Sequence, residues 1–169
     1  MDDFSQPHRH NAFGFAPSPS NFILPHKRPL SSITPLIAAH LSNSSLFFAT
    51  GAAGGSRIIS ATTQVAFHLL SGSSGISSSS GGGGGKAGLR EAVAAPRLHH
   101  QLLPDVLRVE EGGASGFAEG VVEGLRGKGH FVEGMRPGLS AVQAVAVGEG
   151  GVFEAVGETR QVNSGGFTV

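Results

Sequence analysis

The chain has 169 residues, enough for one domain with a core of its own. Its 12 basic residues balance its 12 acidic ones and only 14% of positions are charged, which argues against a nucleic-acid binder, because such a protein carries a basic face. There is no Cys, so disulfides and cysteine zinc sites are excluded, no Trp or Tyr, and no apolar stretch as long as a membrane span.

Met1-Asp2-Asp3-Phe4-Ser5 is acidic and lacks the basic-then-apolar order of a signal peptide. Residues 1–29 are rich in Pro, His, Asn and Ser and read as an extended, turn-rich loop pinned by Phe4, Phe13, Phe15 and Phe22. His8 and His10 without further ligands do not make a zinc site. Ser31 and Ser32 stand beside Pro35 as two adjacent hydroxyls, a pattern that serves turns and caps as readily as a ligand. Alternation predicts strands at Leu36–Ala39 and Leu46–Thr50 around a Ser-Asn-Ser-Ser turn.

The strand at 46–50 runs into Gly51-Ala52-Ala53-Gly54-Gly55-Ser56 and then a helical segment whose Ile58, Ile59, Val65, Ala66, Leu69 and Leu70 fit one face. Glycine allows close backbone approach and positive φ, and a helix start presents unpaired N–H groups with partial positive charge. This turn is therefore suited to an anion or an oxyanion, or is simply a tight strand-to-helix connection. Residues 71–86 have the composition of a flexible Ser/Gly linker inserted in a surface loop. They are not a phosphate loop, since Gly85-Lys86 is followed by Ala87 instead of Ser or Thr.

Leu89–Ala95 reads as a short helix stopped by Pro96, and Arg97–Pro104 as a loop. Val106–Glu110 reads as a strand, Ser115–Lys128 as a helix and Phe131-Val132 as a short strand. Ser140–Val147 alternates as a strand, with Val142, Ala144 and Ala146 on one face; a turn at Gly148–Gly151 returns it through Val152–Val156. For His99, His100 and His130, loop or partly buried histidines are the expected reading, because no Ser-His-Asp spacing is established.

Several of these segments together resemble the γ-glutamyltransferase (glutathione hydrolase) family. Met1-Asp2-Asp3-Phe4-Ser5 resembles its Asn-Asn-x-Met-Asp-Asp-Phe-Ser, and Asn11-Ala12-Phe13-Gly14 its proline loop. Arg28-Pro29-Leu30-Ser31-Ser32-Ile33-Thr34-Pro35 is similar to Arg-Pro-Leu-Ser-Ser-Met-x-Pro. Gly51-Ala52-Ala53-Gly54-Gly55-Ser56-Arg57-Ile58 and Pro96-Arg97-Leu98-His99-His100-Gln101-Leu102-Leu103-Pro104 also match the family. So does the close from Gly157-Glu158-Thr159-Arg160 to Gly165-Gly166-Phe167. Gln6–His10 and Thr159 depart from its pattern.

The resemblance implies an α+β fold, the αββα four-layer sandwich of the N-terminal-nucleophile hydrolases, incomplete in this chain. It makes residues 1–169 the later part of a small subunit. It implies that Asp3 pairs with the substrate α-amino group, that Ser31 and Ser32 bind its α-carboxylate, and that the N–H groups of Gly54 and Gly55 form the oxyanion hole. It also implies glutathione or another γ-glutamyl donor, an amino acid, peptide or water as acceptor, a large-subunit partner, no cofactor and no metal. The implied location is secreted, cell-surface or vacuolar, with targeting carried by an earlier segment. The family's nucleophilic Thr lies in a Thr-[Thr/Ser]-His motif upstream of the matched segment, and no such motif occurs here. Met1 then matches an internal methionine, and the chain is expected to be a truncated part, inactive alone. The alternatives are a degenerate copy that binds glutamate or a partner, and an open reading frame that is not expressed.

Overall fold

A computed structural model describes residues 3–71, 88–111 and 116–166. The Ser/Gly linker falls almost wholly outside the described residues; only Ser71 is placed, as the last residue of a helix.

Four strands form the main sheet. β1 (Leu36–Ala39) and β2 (Leu46–Ala53) make an antiparallel hairpin, β6 (Ala141–Val147) pairs with β2, and β7 (Phe153–Val156) with β6, giving the order β1-β2-β6-β7. Register sorts the side chains, because residues directly opposite share a face. The row Leu36, Thr50, Ala144 and Val156 lies on one face, and Ile37, Ala49, Val145 and Ala155 on the other. α1 (Arg57–Ser71) and α2 (Leu89–Ala94) cover the first face, where Ala61, Val65, Leu89, Ala92 and Val93 pack on Val142, Ala144 and Val156. Among the described residues no layer covers the second face, and Ile37 there is 76% exposed.

A second sheet holds β3 (Leu98–His99), β4 (Leu107–Glu110) and β5 (Val132–Met135). β3 is antiparallel to β4, whereas β4 and β5 are parallel and joined through α3 (Glu119–Gly127), as a parallel pair requires.

Three expectations need correction. Leu98–His99 is a strand and not loop, because β4 supplies a partner that no local pattern signals. The third helix begins at Glu119, which leaves Phe117 ahead of it; Ser115 lies outside the described residues. On α1 the buried stripe is Ile58, Ala61, Thr62, Val65 and Ala66, while Ile59 and Leu70 are 50% and 63% exposed. Ile59 and Leu70 lie beside that stripe, on the flank of the helix's apolar arc.

Candidate functional site

β2 ends at Ala53, and the chain turns through two glycines with φ +134° at Gly54 and +63° at Gly55. Both positions are crowded. A Cβ on Gly54 would lie 2.8 Å from Leu139 O and 2.9 Å from Ser140 Cα; one on Gly55 would meet the Phe13 ring at 2.0 Å. Glycine is therefore required for close approach as well as for backbone conformation. The carbonyls of Gly54 and Gly55 accept from Arg57 N (3.4 Å) and Ile58 N (3.1 Å) and start α1. Among the described residues no carbonyl accepts from the N–H of Gly54 or Gly55. Two adjacent amides thus stand without a carbonyl acceptor among the described residues at the positive end of a 15-residue helix.

Ser32 reaches this turn, its Oγ donating to Gly55 O at 2.8 Å. Ser31 is exposed; its Oγ accepts from Ile33 N at 3.1 Å, which leaves its own proton to donate outward. Asp3 is also exposed and is held through its backbone, its carbonyl accepting from Asn21 Nδ2 at 2.8 Å. The same Asn21 takes Leu30 N–H on its Oδ1 at 2.8 Å, one residue before Ser31. Ser32 and Gly55 are in direct contact, whereas Asp3 and Ser31 are brought into relation through Asn21.

Sequence reasoning missed Gln101. Its Nε2 donates to Phe13 O at 2.5 Å and Leu103 O at 2.8 Å, and its Oε1 takes Ser56 Oγ and His99 Nε2, both at 3.0 Å. Oε1 only accepts, so His99 Nε2 carries the proton, and Nδ1 lies 2.8 Å from Ser60 Oγ, which also reaches Arg57 O at 3.2 Å. Burial, with Arg57 and Arg108 nearby, outweighs the Gln101 contact and lowers the His99 pKa, which keeps the ring neutral. His99 is thus a buried link between α1 and the Phe13 loop. His100 instead contacts Asp105 at 3.2 Å, with the His130 ring 6.3 Å away. The only hint of the hub in the sequence was the position of Gln101 within the Pro96–Pro104 motif.

The gamma-glutamyltranspeptidase family model matches residues 1–167. The chain belongs to the gamma-glutamyltranspeptidase family. It is 43% identical over its full length to a glutathione hydrolase proenzyme of Arthroderma benhamiae, of which it covers 26%. It is 33% identical over 96% of its length to that of Escherichia coli, of which it covers 25%. It therefore spans about a quarter of the length of these curated relatives. Among solved structures, Pseudomonas nitroreducens gamma-glutamyltranspeptidase complexed with L-DON aligns over all of this chain and 79% of that one, with TM-score 0.77 and 31% identity. Bacillus anthracis CapD, at 19% identity and TM-score 0.60, shares the fold.

Behind the turn lies a buried ionic cluster. Glu158, fully buried, accepts from Arg97 Nη1 at 2.7 Å, Arg160 Nη1 at 3.0 Å and Val142 N at 2.8 Å. Arg97 also donates to Ser140 O at 3.1 Å, and Arg160 to Glu110 Oε2 at 2.8 Å. The cluster thus ties β6 of the main sheet to β4 of the second and fixes Ser140, against which Gly54 rests. Burial pushes the Glu158 carboxyl up, but the Arg97, Val142 and Arg160 donors together hold it below its ordinary value of 4.5. Burial also lowers His68 and His99 from 6.5.

Both directions give the same sign. Wherever the unfolded chain binds more protons than the folded one, stability rises with pH. The urea midpoint is expected to be flat above about pH 7 and to fall below 6.5 as the unfolded chain's His68 and His99 take protons. It falls further below 4.5, where the unfolded carboxyl of Glu158 protonates first. The double variant His68→Gln, His99→Gln should abolish the first decline and keep the second. A wild-type midpoint that stays level from about pH 7 to 5 would contradict the neutral burial of both rings.

Proposed function

We propose that this chain forms the substrate-binding wall and oxyanion hole of a γ-glutamyl transfer site acting on glutathione or a related γ-glutamyl amide. The observation that carries this reading is the Gly54–Gly55 turn, with neither amide donating to a carbonyl among the described residues and Ser32 bonded to it. When a nucleophile attacks the γ-carbonyl, its oxygen gains negative charge. Two backbone N–H groups, the first backed by the Leu139–Ser140 backbone, stabilise that charge without reorganising. The Asp3 carboxylate pairs with the α-ammonium of the γ-glutamyl group. Ser31 donates to its α-carboxylate, and Ser32 exchanges Gly55 O for the same carboxylate when substrate arrives.

The reacting group is a threonine outside these residues, its own α-amine serving as base, since no Thr-Thr-His or Thr-Ser-His occurs among them. The acyl group then passes to an amino acid, a peptide or water. A large-subunit portion completes the site, and a second sheet lies on the uncovered row Ile37, Ala49, Val145 and Ala155, closing a four-layer αββα sandwich. An apolar sheet face of this kind is stable only when another layer buries it.

Calorimetric titration of the purified chain with L-glutamate tests the reading. Saturable heat is expected, and Asp3→Ala should abolish most of it. A chain that is folded by circular dichroism yet gives no saturable heat overturns the reading. γ-Glutamyl-p-nitroanilide should release no p-nitroaniline; release that Asp3→Ala abolishes would place a nucleophile inside the 169 residues.

A further inference from the structure

Asn21 stands where two substrate-facing segments meet. Its Nδ2 donates to Asp3 O at 2.8 Å and reaches Ser5 Oγ at 3.4 Å, and its backbone carbonyl accepts from Ser5 N at 3.0 Å. Its Oδ1 accepts from Leu30 N at 2.8 Å. Asn21 is itself placed by the 3-10 turn Pro19–Asn21, where its N–H donates to Ser18 O at 2.9 Å, and by the parallel bridge of its neighbour Phe22 to Ser5. One partly buried amide side chain therefore holds two strands of loop that are 18 and 9 positions away.

We infer that Asn21 is a positioning residue that fixes the spacing between the Asp3 carboxylate and the Ser31 hydroxyl, and so selects ligands bearing an ammonium and a carboxylate on the same carbon. The inference rests on the ligand roles of Asp3 and Ser31 proposed above. Its chemistry is specific. The two halves of the amide face different segments: the NH2 end holds the ammonium-binding wall and the oxygen end the carboxylate-binding wall. Backbone contacts tie Ser5 to the Asn21–Phe22 turn, and the amide carries that tie on to Asp3 O and Leu30 N, so it sets the relation of the two walls.

Asn21→Asp separates the two functions. It keeps an acceptor for Leu30 N–H but replaces the donor to Asp3 O with a second acceptor, which the carbonyl repels. In the 169-residue chain, calorimetry should show L-glutamate binding weakened about tenfold, while glutarate, which lacks the α-amine, changes less than about twofold. Amide hydrogen exchange should quicken at Ser5 and stay slow at Leu30. Asn21→Ala should quicken both, with α1 amides unchanged in either variant. Equal loss for the two ligands, or unchanged exchange at both Ser5 and Leu30, overturns the inference. If the wild-type chain takes up neither ligand, the functional reading fails on its own, and the exchange measurement still decides whether Asn21 clamps the two segments.

Discussion

Gly54→Ala is expected to destabilise the chain by about 2–6 kcal/mol, combining about 1–3 for a backbone forced to stay at positive φ with about 1–3 for overpacking. The second contribution has no easy relief, because the first atoms met are Leu139 O and Ser140 Cα, both backbone. Arg97 and Glu158 hold this segment from behind through Ser140 O and Val142 N. Gly55→Ala makes the contrast. Its φ of +63° is the mild left-handed region, and the clash is with the tip of the Phe13 ring, which can swing away. Gly55→Ala should therefore be partly rescued by Phe13→Ala, whereas Ser140→Gly should not rescue Gly54→Ala. Urea unfolding of the four variants and two doubles measures these couplings. Rescue of Gly54→Ala by a side-chain deletion would show that the turn is not pinned by the backbone.

The second large effect is expected at Glu158→Gln, about 3–5 kcal/mol, the range for breaking a buried pair by removing one partner. The amide fills the same volume, so no cavity contributes. What changes is charge: Arg97 and Arg160 are 2% and 9% exposed and would then face each other with only Glu110 between them. Among the described residues each guanidinium already has a buried Nε without a partner, so they hold no reserve acceptor for the cluster. Arg126→Ala is the control. Its pair with Glu123 is exposed on both sides, and its loss should cost about 0.5 kcal/mol or less. A Glu158→Gln loss under about 1 kcal/mol would mean that water reaches the cluster.

The elements legible in the sequence were those whose pattern is local. β1 was expected at the bounds observed, and the alternation of β6 put Val142, Ala144 and Ala146 on one face, the face that packs on the helices, although Ala141 on the other face is buried as well. The glycine turn was visible because left-handed backbone demands glycine. Its support was not, since Leu139, Ser140 and Phe13 come from distant segments. Asn21 and Gln101 were missed for the same reason: an amide hub is defined by partners 18 or 88 positions away, and no spacing rule records them. Family resemblance did single out the Gly157-Glu158-Thr159-Arg160 segment, with Thr159 as its departure. The structure adds the physical reason why Thr159 is tolerated between Glu158 and Arg160: its side chain is exposed, while both neighbours point into the cluster.

The strand order β1-β2-β6-β7 also governs how the chain is made. Thr50 and its partner Gln143 lie 93 positions apart, so β2 has no second neighbour until the last quarter of the chain exists. During synthesis the β1–β2 hairpin, α1 and α2 leave the ribosome with only half a sheet to pack on, and the edge of β2 that will receive β6 stays open. The site's glycine turn is then complete in sequence but unsupported, because Leu139 and Ser140 arrive together with β6. The glycine turn therefore gains its support, and β2 its second neighbour, in a single late event, when residues 139–147 pair with β2; β7 then adds at the open edge of β6.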